Sequence, residues 1–344
     1  MRIGICAVQV PFIKGGAENH TLGLYEELIK RGYEVEYINI PFKWYPPGEI
    51  VKHALIWRMI DLTESNGEKI DLLICTKFPS YVVKHPNKVV WLLHQYRQAY
   101  DLFDTKYGNL NSSEGKIIRE LIARMDNKTL TECNKIYTNS KNVASRLEKY
   151  NGINGIPLYH PPKNAERFYC GETGDYFIYP SRIESIKRQY LLIEAMQHTK
   201  TAAKIIIIGK GPQENELKLL AKNLNVTEKV QFRGYASDDE LVNLYANSMG
   251  VVFIPIDEDY GYITLEAFLS GKPVITAFDS GGPLEFVEDS KNGYILNPGA
   301  SEIAQKIDYL FNNKDLAKKM GLEGYKKIKN MNISWDNVIR QLVG

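Results

Sequence analysis

A chain of 344 residues with 44% hydrophobic and 24% charged side chains is too long for one ordinary core and too apolar for disorder, so two globular domains are expected. The formal charge is only +2, from 43 basic and 41 acidic residues, which leaves no electrostatic footprint for nucleic acid. Cys6, Cys75, Cys133 and Cys170 are scattered, without the spacing of zinc ligands or of a disulfide framework, and read as reduced, cytosolic cysteines.

The apolar start breaks at Pro11, too early for a signal sequence, and no later run reaches membrane-spanning length, so a cytoplasmic location is expected. Residues 3–10 form a β-branched run, Gly15-Gly16 follow, and Leu22, Tyr25, Leu28 and Ile29 mark one face of a helix closing at Gly32. Residues 49–60 mix Lys52, Trp57 and Arg58 with aliphatics. They suit a core helix or one lying at the inner face of the membrane as a peripheral contact. Short apolar runs at 35–40, 71–75, 88–93 and 135–139, with helical stretches at 116–133 and 141–150, predict a parallel sheet covered on both faces.

Residues 156–162, Ile-Pro-Leu-Tyr-His-Pro-Pro, cannot continue a helix and suit an interdomain linker. The alternation then restarts, with strands at 176–180, 204–208, 230–232, 250–254, 273–276 and 293–296 and helices near 187–197, 213–224, 237–247, 264–270, 283–288 and 300–312. The expected divisions are 1–162, 163–325 and a tail, 326–344. In that tail Trp335, Val338, Ile339 and Leu342 share one helical face. The fold class is therefore α/β, with two Rossmann-like doubly wound domains.

In such sheets ligands bind beyond the carboxyl ends of the strands, where glycine turns bring backbone N–H groups to an anion. Gly15-Gly16 is one such turn and serves equally as a plain tight turn. Gly209-Lys210-Gly211 is another, but Gln213-Glu214 stand where a dinucleotide fingerprint needs its third glycine, which disfavours a nicotinamide site. Arg182 and Lys187 follow a strand and precede a helix. They read as solvated cations or as a clamp on a diphosphate. Glu258 and Glu266 lie eight positions apart across a glycine loop and a helix start, where a carboxylate either complements the helix dipole or accepts from sugar hydroxyls.

Taken together, the order and spacing of Gly15-Gly16-Ala17-Glu18, Ser181-Arg182-Ile183-Glu184 with Lys187, the Glu258 to Glu266 pair, Gly271-Lys272-Pro273 and Gly281-Gly282-Pro283-Leu284-Glu285 resemble the retaining glycosyltransferases of family four, over nearly the whole chain. The resemblance implies the GT-B fold, a central cleft between the two halves, and transfer of a sugar from a nucleotide-diphosphate sugar to a glycan, lipid-linked or small-molecule acceptor. It further implies that Arg182 and Lys187 neutralise the leaving diphosphate, that Glu258 contacts the transferred sugar, and that His94 touches a hydroxyl near the reacting carbon. Glu266 would accept from the ribose, Tyr235 would border the base, and Gly15, Gly16, Gly261, Tyr262, Ile263, Thr264, Gly281 and Gly282 would line the donor. No metal or cofactor is expected, since the two cations can neutralise the leaving group and no Asp-x-Asp triplet is present.

Arg188 departs from the glycine that many relatives carry after the lysine, and Asp259-Tyr260 from their Pro-Phe. Both departures leave the donor's sugar and base open. The rival readings are a GT-B epimerase or phosphorylase and a non-catalytic nucleotide-sugar-binding module.

Overall fold

The computed structural model describes residues 1–12 and 15–344 and divides into two units, Met1–His160 with Ser334–Gly344, and Pro161–Ile333. The first unit runs β1 (Arg2–Gln9), α1 (Gly16–Lys30), β2 (Glu34–Pro41), α2 (Gly48–Met59), a small antiparallel hairpin of β3 (Glu64–Ser65) and β4 (Glu68–Lys69), then β5 (Leu72–Cys75), β6 (Lys88–Leu92), α3 (Ser113–Leu130), β7 (Lys135–Thr138), α4 (Lys141–Asn151) and β8 (Ile156–Pro157). Its six-stranded sheet has the order β2-β1-β5-β6-β7-β8, all parallel. Strands β5 and β6 are buried at every residue because both faces are covered.

One face packs against Trp57 of α2, Ile118 and Ile122 of α3 and Leu147 of α4. The other packs against Leu24 and Leu28 of α1 and against Val338, Ile339 and Leu342 of the final helix, which the second unit precedes in the chain. Ser112 and Ser140 cap α3 and α4 through their hydroxyls, accepting from the Gly115 and Val143 N–H groups.

Two expectations need correction. The inward face of α1 carries Thr21, Leu24 and Leu28, whereas Leu22 and Ile29 are 50% and 44% exposed. At about 100° per residue, Leu22 and Ile29 share an azimuth roughly opposite Leu24, so the sequence offers two apolar stripes and the sheet selects one. Trp57 is only 1% exposed and sits in the core, which removes the aromatic anchor on which a membrane-lying α2 rested. Among the described residues no helix is long and apolar enough to cross a membrane.

The second unit runs β9 (Tyr176–Pro180), α5 (Gln189–His198), β10 (Lys204–Ile208), α6 (Glu214–Asn223), β11 (Val230–Gly234), α7 (Asp238–Asn247), β12 (Gly250–Val252), α8 (Tyr262–Leu269), β13 (Val274–Ala277), β14 (Gly293–Leu296), α9 (Ala300–Asn312) and α10 (Lys314–Asn330). Its sheet is again parallel, in the order β11-β10-β9-β12-β13-β14. The helix expected from 187 starts at Gln189 after a single 3-10 turn, Ser185–Lys187, and the one expected at 283–288 is a 3-10 turn, Gly282–Glu285. α10 had no sequence counterpart. It carries the chain through Asn330, so the segment 326–344 is split between α10 and a separate α11 (Trp335–Val343), capped by Ser334.

Candidate functional site

In each sheet the connections reverse direction at one point, between β1 and β5 in the first unit and between β9 and β12 in the second, and the loops leaving those strands border a crevice. In the second unit those loops are 181–188 after β9 and 253–261 after β12. They hold the expected Arg182, Lys187 and Glu258. The reason that β9 delivers its loop there is local. Ser181 N–H donates to Ile208 at 2.9 Å and Ile183 N–H to Lys210 at 3.1 Å, so the loop lies on the Gly209-Lys210-Gly211 turn, where a Cβ at Gly211 would run into the Ile183 carbonyl. That glycine turn supports the Arg182 loop by close backbone approach.

Lys187 and Glu258 form an ion pair, with side chains 14% and 24% exposed. Arg182 pairs with Glu184 and remains half exposed, at 47%. The 253–258 loop is held on two sides: Ile256 N–H donates to Ile186 at 2.8 Å, Asp257 N–H to Asp279 and Glu258 N–H to Ser280, both at 2.9 Å, and Gly282 N–H returns to Glu258 at 2.7 Å. Glu258 and Gly281 are thereby bridged like neighbouring strands. Lys187, Glu258, Gly281 and Gly282 are thus joined, and Arg182 lies on the same loop as Lys187.

The next group is the start of α8. Gly261, at φ +87°, precedes it and supplies no side-chain cap, and the helix start points its positive end toward this region. The buried Thr264 hydroxyl has no hydrogen-bond partner among the described residues. One turn on, Glu266 accepts from the Tyr245 hydroxyl at 2.6 Å, and burial pushes its carboxyl up to about 7 against the pull of that hydrogen bond. Tyr235, at the end of edge strand β11, is 76% exposed. Tyr245 was not singled out from the sequence, because a tyrosine on α7 gives no signal of its own.

In the first unit Gly15 and Gly16 follow β1 at that sheet's reversal point. Gly15 N–H donates to Glu18 Oε2 at 2.8 Å, closing the turn into α1. Across the reversal point, after β5, lies Lys77, also not seen in the sequence: its Nζ is 3.6 Å from Glu18, and burial holds its ammonium below the usual range while the carboxylate opposes this. His94 follows β6, one strand further, and its Nδ1–H donates to the Gln95 carbonyl at 2.6 Å. His94 and Gly15-Gly16 thus lie at the carboxyl edge of the first sheet, and the remaining candidates at that of the second.

The first unit also contains a cavity of ≈ 590 Å³ lined by Arg58, Asp61, Lys84, His85, Lys88 and Glu132. Lys88 Nζ donates to the Tyr81, Val83 and Thr129 carbonyls, both His85 nitrogens meet backbone groups, and Arg58 forks onto Glu132, so these side chains are engaged within the unit itself.

Comparison with known proteins agrees with this fold. Residues 164–327 match the profile of the family described as glycosyl transferases group 1. An uncharacterized glycosyltransferase of Methanocaldococcus jannaschii is 27% identical, over 97% of this chain and 94% of its own. Among solved structures, sucrose-phosphate synthase from Thermosynechococcus elongatus superposes with a TM-score of 0.77 at 15% identity, covering 99% of this chain and 96% of that one. Anabaena HepE in complex with UDP-glucose does so with a TM-score of 0.73 at 16% identity, covering 100% and 98%. Two doubly wound domains, the loops gathered at the reversal point of the second, and the match across that domain together make the second unit similar to the group 1 glycosyl transferases.

Proposed function

We propose that the protein is a retaining hexosyltransferase that moves a sugar from a nucleoside-diphosphate sugar to a glycan, lipid-linked or small-molecule acceptor without a metal ion. The observation that carries this reading is the Lys187–Glu258 pair on the loops of the β9/β12 reversal point, which also carry Arg182 and lead to the start of α8.

Breaking a sugar–phosphate bond leaves negative charge on the diphosphate and positive charge on the sugar ring, so fixed cations at the leaving group stabilise the transition state more than the ground state. Arg182 and Lys187 are those cations. The start of α8 adds the helix-terminal field, and the Thr264 hydroxyl is a further donor for a phosphate oxygen. Glu258, paired with Lys187 in the free protein, exchanges that partner for a sugar hydroxyl when the diphosphate takes up the lysine. Glu266 receives the ribose hydroxyls.

The test is release of nucleotide from UDP-, GDP- and ADP-hexoses. Lys187→Ala or Arg182→Ala lowers the rate by at least ~10²-fold with folding intact, while a metal chelator leaves it unchanged. A well-folded double variant with near-normal turnover removes these residues from the mechanism. Retention is read from the anomeric configuration of the product.

A further inference from the structure

Arg188 is a buried arginine in a backbone conformation that suits glycine. Its φ is +55° and its side chain is 5% exposed. A glycine would take this left-handed geometry without strain, so a non-glycine residue persists here only where its surroundings over-determine it. The guanidinium supplies that determination. Its Nε–H donates to the Ile254 carbonyl at 2.7 Å, Nη2 to the Pro255 carbonyl at 2.7 Å, and the fork Nη1/Nη2 to both oxygens of Asp279 at 2.9 and 2.7 Å. Four of the five guanidinium N–H groups are used.

The three segments so joined are those that shape the crevice. Arg188 follows Lys187 directly, Ile254 and Pro255 lead into Glu258, and Asp279 leads into Gly281 and Gly282. The backbone bonds from Asp257 to Asp279 and from Glu258 to Ser280 continue the same seam outward to the site. Glu266 is held instead from α7, accepting from the Tyr245 hydroxyl.

We infer that Arg188 is a positioning residue of the donor site: through one buried guanidinium it sets Lys187, Glu258 and the Gly281-Gly282 turn in register for the diphosphate and the transferred sugar, while leaving the nucleoside end untouched. The inference rests on the donor-site reading above. Lysine keeps the charge but lacks the planar fork, so it cannot reproduce the two carbonyl contacts and the bidentate carboxylate together.

The consequence is a split that a purely structural role does not produce. Arg188→Lys and Asp279→Asn, each verified as folded by circular dichroism and thermal melting, bind the nucleoside monophosphate among UMP, GMP and AMP that the wild type binds, with affinity within about twofold. Their kcat for nucleotide release from the matching hexose donor falls at least ~10-fold, and the double variant falls little further than either single one. Arg188→Lys with wild-type kcat overturns the inference, and so does a loss of nucleotide affinity in parallel with kcat and melting temperature, which marks a scaffold role alone. A wild-type protein that binds none of the three nucleotides instead sinks the donor-site reading itself, and the positioning role with it.

Discussion

At the residue scale, Glu266 shows how burial converts an ordinary carboxylate into a group that titrates near neutrality. Its folded value of about 7 lies above that of the unfolded chain, so between roughly pH 4.5 and 7 the folded state binds more proton than the unfolded state. Stability contributed by this group is therefore present at low pH and lost as pH rises through 7. Glu266→Gln removes that slope, and urea unfolding at pH 5 and 7.5 measures it. If Glu266 receives the ribose as an ionised acceptor, nucleotide affinity also rises through pH 7 in the wild type and stays flat in the glutamine variant, as isothermal titration reads directly. Asp126 is a second case of the same sign: buried on α3 and raised to about 7 by burial, it accepts from the Tyr81 and Tyr100 hydroxyls at 2.9 and 2.6 Å.

The element scale explains why one helix was invisible in the sequence. α10 buries Ala317, Met320, Gly321, Gly324 and Ile328, so two of its five inward positions are glycines and the apolar periodicity is broken at its centre. Those glycines serve contact with α8: a Cβ at Gly321 would run into the Gly271 carbonyl, and one at Gly324 into the Phe268 ring. Alanine at 321 gains about 1 kcal/mol of helix propensity but meets a backbone oxygen that cannot rotate away. Gly321→Ala therefore destabilises by about 1–3 kcal/mol, with thermal melting as the measure. An unchanged or raised melting temperature means that the helix shifts without cost.

At the scale of the whole molecule the chain passes between its units twice, after His160 and before Ser334. Both passages are anchored in the first unit on one aromatic cluster. His20 Nδ1 and His160 Nε2 are 3.1 Å apart, the His20 ring lies 3.9 Å from that of Trp91, and the His160 ring 5.7 Å from that of Trp335. α11 then buries Val338, Ile339 and Leu342 on the sheet face that α1 alone leaves uncovered. Ending the chain at residue 333 removes three buried aliphatic side chains, worth on the order of 5 kcal/mol, and lowers the melting temperature of the first unit. A truncated protein that melts like the parent contradicts this.

The histidines of the cluster respond to pH with the opposite sign to Glu266. Burial holds His160 down to about 3 and His20 well below its ordinary value, with His160 adding to the effect on His20. The unfolded chain therefore takes up protons first, and stability is lost as pH falls from about 6.5 toward 3. His160→Phe reduces that loss, as urea unfolding at pH 7 and 5 tests.

The sequence by itself determined the two-domain α/β class, every strand of the two sheets except the short β8, which it read as linker, and the loops that carry Arg182, Lys187, Glu258 and Glu266. Strand runs and strand-to-helix turns are local signals, and glycine and proline punctuate them. What tertiary structure decided depended on contacts distant in the chain. The sheet chose which stripe of α1 turned inward and drew Trp57 into the core. Close approach to α8 required the glycines that concealed α10, and burial under α7 set the proton affinity of Glu266. Arg188 looked like a departure from a glycine position, and its meaning emerged only when Ile254, Pro255 and Asp279 were brought around it. A buried charge is tolerated only with partners, and those partners lie 66 to 91 residues away.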